Sequence, residues 1–209
     1  MKLADFLTPL PLVAVLRGIS PPEVPGVADA LTGAGFRVLE VTLNSPDPYD
    51  SIRALTARCG ATCLVGAGTV IDPSDVARVR EAGGRLIVMP HADVEVIREA
   101  KRQGMVCVPG VATPTEAFAA LAAGADGLKM FPADALQPAA LRAWRAVLPK
   151  PTLVFAVGGM RPDNLLPYWE AGADGFGTGS NLYKPGAPAA GVRDAALAYA
   201  RGVGALPRR

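Results

Sequence analysis

The chain has 209 residues, half of them hydrophobic and 19% charged, with 21 Lys and Arg against 19 Asp and Glu for a net charge of +2. This balance excludes a disordered chain and offers no basic surface for a nucleic acid or other polyanion. The longest early apolar run, Leu10 to Leu16, stops at Arg17, far short of the roughly 20 residues of a membrane helix, and it lacks a signal peptide's cleavage region. A soluble, cytoplasmic protein with no membrane partner is expected. The odd cysteine count (Cys59, Cys63, Cys107), without metal-ligand spacing, predicts no disulfide framework.

In chain order, a helix-ending glycine followed by a short β-rich run recurs: Gly35 before VLEVTL, Gly60 before TCLVGAG, Gly83-Gly84 before RLIVMP, Gly104 before VCVPG, Gly124 before GLKMFP and Gly172 before GFGTGS. Glycine takes the left-handed backbone that ends a helix without a Cβ clash. Two further apolar runs, LVAVL at 12–16 and TLVFAVGG at 152–159, complete eight strand candidates. Between them lie helical periodicities with credible starts. Pro73-Ser74-Asp75 precedes VARVREA, Thr113-Pro114-Thr115-Glu116 precedes AFAALAAG, and a further start is expected at Arg161-Pro162-Asp163. Eight alternations of apolar strand and helix predict a parallel sheet buried on both faces, closed as a (β/α)8 TIM barrel. An open doubly wound sheet is the alternative. No linker divides the chain, so one domain spans 1–209, with its core at about 10–184, then a C-terminal helix and a short frayed tail at Pro207-Arg208-Arg209.

In a barrel, alternate strand residues point inward and the site gathers at the carboxyl ends of the strands. Glu40 shares parity with Val38 and Thr42 and is a lone carboxylate among aliphatics. Lys129 is the only lysine that interrupts an apolar strand. Strands two and six are opposite in an eight-stranded ring, so the two side chains are expected to meet near the axis. They could form a structural salt bridge. They could also form a Schiff-base lysine kept partly neutral by burial, with a carboxylate to shuttle protons. Arg17 ends the first strand with the inward parity of Val13 and Val15, as a rim salt bridge or as a planar fork for a carboxylate.

The glycine-rich ends of the last two strands, Val157-Gly158-Gly159 and Gly177-Thr178-Gly179-Ser180, fall where such barrels recurrently bind phosphate. Gly66-Ala67-Gly68-Thr69, after strand three, is an ordinary turn or a source of the Thr69 hydroxyl. The single histidine, His91, reads as a polar loop residue, and no carboxylate cluster accompanies it for a metal. Trp144 and Trp169 read as helix packing.

With these residues assembled, the chain resembles the 2-keto-3-deoxy-6-phosphogluconate (KDPG/KHG) aldolase family. The matching stretches are LPLVAVLRGI at 10–19, VLEVTLNSP at 38–46, LVGAGTV at 64–70, VPGVATPTEAF at 108–118, GLKMFPA at 127–133, FAVGGM at 155–160 and GTGSNLY at 177–183. The resemblance implies Lys129 as the Schiff-base lysine, Glu40 as proton donor and acceptor, and Arg17 and Thr69 at the keto-acid end. It places Gly158, Gly159, Gly179 and Ser180 at the phosphate of a phosphorylated keto-sugar acid. It further implies a homotrimer with no cofactor and no metal. Gluconate-type members usually read Thr-Gly-Gly on strand seven and carry arginine after the Thr-Leu pair of strand two. Val157 and Asn44 stand there instead, which implies the galactonate-type substrate and makes Val157 the residue beside C4. A gluconate-type aldolase, a phosphosugar isomerase or epimerase, and a noncatalytic binding barrel are the alternatives.

Overall fold

The computed structural model describes residues 2–208. Eight parallel strands alternate with eight helices. The strands are β1 (Leu12–Leu16), β2 (Val38–Thr42), β3 (Leu64–Gly68) and β4 (Leu86–Val88), then β5 in two pieces (Val106–Val108 and Gly110–Val111). They end with β6 (Leu128–Met130), β7 (Val154–Val157) and β8 (Gly175–Thr178). Helices α1 (Val24–Gly33), α2 (Pro48–Cys59), α3 (Ser74–Glu81), α4 (Val94–Arg102), α5 (Pro114–Ala122), α6 (Ala133–Arg145), α7 (Leu165–Glu170) and α8 (Ala189–Gly204) cover the outside.

Each strand pairs with its sequence neighbours, and β1 also pairs with β8, as in a barrel. The ring closes through Pro109. The first piece of β5 pairs with β4 and the second with β6, while the Pro109 carbonyl accepts from Lys129 N at 2.8 Å. Proline has no N–H to give the ladder, so this one strand is split where sequence predicts it whole. The eight-stranded closed barrel is thus the observed fold.

Alternation sorts the core into two parts. Inward residues Val38, Leu64, Leu86, Val88, Val106, Val108 and Phe155 pack with each other and with Leu3, which is buried under the barrel floor. The alternate residues, such as Leu39, Val65, Ile87, Leu128 and Met130, pack outward on the helices. Leu3 lies before the expected start of the core at residue 10.

Five of the helix-ending glycines take the expected positive φ: Gly35, Gly83, Gly104, Gly124 and Gly172. Gly60 does not, having φ −62. Its role is spatial, because a Cβ there would press on the Thr56 backbone. The helix expected at Arg161 begins only at Leu165. Asn164 accounts for the difference: its Oδ1 accepts from Arg161 N at 2.8 Å and its Nδ2 donates to Gly159 O at 2.9 Å, closing a turn instead. The tail is partly held, since Trp169 Nε1 donates to the Pro207 carbonyl at 3.0 Å. Arg209, the end of the expected tail, lies outside the described residues.

Candidate active site

Lys129 is the middle residue of β6. Its neighbours Leu128 and Met130 are fully buried against the helices, which leaves Lys129 facing the barrel interior at 7% exposure. Glu40, at 1% exposure, faces the same interior from β2. One apolar cavity is lined by both, with Val15, Val88, Val108, Phe155, Val157 and Gly177 among its other walls.

The two side chains, expected to meet near the axis, line one cavity, but no ion pair joins them among the described residues. Glu40 Oε2 has no hydrogen-bond partner among the described residues. A structural salt bridge would close to contact, since burying both charges is costly otherwise. Burial pushes the Glu40 carboxyl up, against the opposing pull of Lys129 and Arg17. Burial likewise pushes the Lys129 amine down, Glu40 opposes this, and Arg17 lowers it further. Lys129 Nζ also sits 4.7 Å from the centroid of the Phe131 ring.

Glu40 has its place because β3 is bare beside it. A Cβ on Gly68 would stand 2.6 Å from the Glu40 carboxylate carbon and 3.0 Å from Oε1. Bareness recurs on β8, where a Cβ on Gly177 would stand 2.7 Å from Val157 Cγ2. Glycine there makes room for the valine.

A second, outer cavity opens at the carboxyl ends of the strands. Arg17, Lys129, Phe131, Val157, Gly158, Gly159, Met160, Gly179, Ser180 and Asn181 line it. Gly158 and Gly159 have φ of +108 and +68. No other residue type adopts two such values readily in succession, and the bare backbone suits the approach of an anion.

Arg17 stands at the rim, with Nη1 donating to Asn44 Oδ1 at 2.9 Å and Nη2 to Thr69 Oγ1 at 3.4 Å. Thr69 itself is a β-branched residue at φ +57, an uncommon conformation with a cost of about 1–3 kcal/mol. It does not line either cavity, and its hydroxyl reaches the site through Arg17. The structure therefore brings Arg17, Glu40, Lys129, Val157, Gly158, Gly159, Gly179 and Ser180 to one connected region, with Thr69 behind Arg17.

Sequence reasoning missed Asn44 as a partner of Arg17, and also missed Phe131 and Asn181. Parity could have found two of them, since Asn44 follows Glu40 and Thr42 by steps of two and Phe131 follows Lys129 by two. Among the described residues, no group of three or more His, Cys, Asp or Glu side chains could hold a metal ion. No helix among them is long and apolar enough to cross a membrane.

The closed (β/α)8 barrel holds a buried lysine and a buried carboxylate beneath a glycine-lined mouth, an arrangement suited to carbonyl chemistry. The family described as "Aldolase: KDPG and KHG aldolase" matches residues 3–191, and the chain belongs to that family. It is 50% identical over 188 residues to a Rhizobium meliloti (strain 1021) protein named "Probable 2-dehydro-3-deoxy-6-phosphogalactonate aldolase", covering 90% of this chain and 89% of that one. The 2-dehydro-3-deoxy-6-phosphogalactonate aldolase of Escherichia coli (strain K12) is 47% identical over 182 residues, covering 87% and 89%. A solved structure described as native KDPGal superposes with a TM-score of 0.92 at 44% identity, covering 97% of each chain.

Proposed function

We propose that this aldolase cleaves 2-dehydro-3-deoxy-6-phospho-D-galactonate to pyruvate and D-glyceraldehyde 3-phosphate through a Schiff base on Lys129. The observation that carries the reading is Lys129 itself, buried in an apolar strand and without an ion-pair partner among the described residues, so that burial favours its neutral, nucleophilic form. Lys129 Nζ adds to C2 of the keto acid, and loss of water leaves an iminium. Glu40 accepts the proton of the C4 hydroxyl. The C3–C4 bond breaks, its electron pair moves into the iminium, and the aldehyde departs. The enamine is reprotonated at C3 by Glu40, and water then releases pyruvate from the lysine. A carboxyl raised by burial suits both directions of that transfer.

Arg17 holds the keto-acid carboxylate, with Thr69 behind it. Gly158, Gly159, Gly179 and Ser180 take the phosphate, and Val157 lies beside C4. The names of the relatives at 50% and 47% identity support the galactonate configuration. A homotrimer in the cytoplasm, acting without a cofactor, completes the reading.

Pyruvate with borohydride tests it. One peptide containing Lys129 should gain a reduced pyruvyl group, and Lys129→Arg should abolish both label and cleavage. Undiminished labelling in that variant would place the nucleophile elsewhere.

A further inference from the structure

Eight arginines among the described residues, Arg58, Arg102 and Arg145 among them, have a carboxylate ion-pair partner. Arg17 has none there. Its partners are a neutral amide and a neutral hydroxyl. A carboxylate would hold the guanidinium more strongly, but it would also cancel the charge that an incoming anion must meet. A neutral acceptor fixes the plane of the fork and leaves its charge intact. Of the five N–H groups of a guanidinium, two are committed to Asn44 and Thr69, so the remainder stay available.

The backbone beneath is gripped by the same loop. Ser45 Oγ accepts from Gly18 N at 2.9 Å and is hydrogen-bonded to Thr42 Oγ1 at 3.0 Å, with Thr42 and Ser45 both buried. Gly18 has φ +79, and a Cβ on it would stand 2.6 Å from Pro185 Cγ. Two consecutive residues after β2 thus hold, respectively, the head of Arg17 and the peptide that follows it.

We infer that Asn44, with Ser45 fixing the base, is the positioning residue that aims Arg17 at the keto-acid carboxylate, a role that rests on the proposed reading of Arg17. The bond is exposed to solvent, so its loss costs what a typical single hydrogen bond does.

Asn44→Ala should raise the KM for pyruvate in the condensation direction by about 3- to 10-fold. The KM for the phosphorylated aldehyde and kcat should both stay within about 2-fold, because neither the phosphate loops nor Lys129 is touched. In an Arg17→Ala background the same substitution should have almost no further effect, since a positioning residue has nothing left to position. Asn44→Asp keeps the size and an acceptor, so it guards against misfolding. It should weaken pyruvate more than alanine does, because it sets a negative charge beside the fork.

The inference is overturned by an unchanged pyruvate KM in Asn44→Ala, by equal rises for both substrates, or by an undiminished effect without Arg17. Any of these outcomes in the variants, with a wild-type chain that cleaves substrate, overturns the inference and leaves the aldolase reading standing. A wild-type chain that neither cleaves nor traps pyruvate overturns both.

Discussion

Gly68→Ala isolates the contribution of the Glu40 carboxylate without changing Glu40. The new methyl would stand 2.6 Å from the carboxylate carbon, where ordinary contact begins at 3.4 Å, so that carbon must retreat by at least 0.8 Å. Gly68 does not have the positive φ that only glycine tolerates, so the backbone accepts alanine. The clash falls on the end of a side chain with rotatable bonds, and the stability loss should stay near the low end for overpacking, about 1–2 kcal/mol, or about 2–8 °C in Tm. Catalysis should suffer more. A group displaced by about 1 Å from its working geometry can lose on the order of 100-fold, equivalent to about 2.7 kcal/mol of barrier. We expect kcat for cleavage to fall by about 10- to 100-fold while borohydride still traps pyruvate on Lys129. Steady-state kinetics, mass spectrometry of the trapped protein and thermal melting measure the three quantities on one sample. Full kcat in a folded Gly68→Ala protein would refute the assignment of proton transfer to Glu40 in this position.

Gly159→Leu puts a side chain at φ +68 with its Cβ 2.8 Å from Asp134 Cβ; KM for glyceraldehyde 3-phosphate should rise by roughly 10-fold or more while that for pyruvate holds, and equal losses would mislocate the phosphate. Burial alone would raise the Glu23 carboxyl, but hydrogen bonds from Ser20, Gly186 and Tyr183 outweigh it and hold it at about 2, against 4.5 for the free group. The stabilisation it provides is therefore complete above pH 4.5 and disappears as pH falls through about 2. Glu23→Gln should lower Tm at pH 7 and make little difference at pH 2, and a loss that is the same at both would show that ionisation is irrelevant. Val157→Thr adds a hydroxyl beside both cavities and should move the kcat/KM ratio toward the gluconate epimer; a wild-type enzyme that already prefers that epimer would contradict the role of Val157.

The barrel was legible because alternation is a local property. Val38, Glu40 and Thr42 reveal one face of β2 in three residues, and Lys129 stands out because everything around it is aliphatic. The glycines at 158 and 159 were legible for a similar reason, since few local conformations require two in succession. What stayed hidden depends on residues distant in sequence. Asn44 and Arg17 are 27 positions apart, and Thr69 is 52 from Arg17; only the pairing of β1 with β2 and of β2 with β3 brings their loops together. The turn at 161–164 was misread as a helix start because Asp163 follows Pro162. The signal that decided otherwise, Asn164 bonding back to Gly159 and Arg161, lies in one rotamer. Pro109 was visible in the sequence, but whether it ends a strand or interrupts one depends on partners on both sides.

The charges of the site form a gradient from rim to axis. Arg17 is exposed and carries a fixed charge, whereas Glu40 and Lys129 are buried, and burial moves each toward its neutral form. With no ion pair among the described residues to hold them charged, burial shifts the carboxyl toward its protonated form and the amine toward its free form. On the proposed reading, the substrate carboxylate meets Arg17 first and offsets the cation that pushes the Lys129 pKa down. When the iminium forms, a permanent positive charge replaces a neutral amine inside the barrel, and a nearby carboxyl is then favoured in its ionised form. On the proposed reading, imine formation would convert Glu40 from an acid into the base that the next step requires, and loss of that charge at the enamine would return it to an acid for protonation at C3. On that reading, the lack of an ion pair between Glu40 and Lys129 among the described residues, which would be a flaw in a structural salt bridge, leaves one carboxyl free to serve both steps.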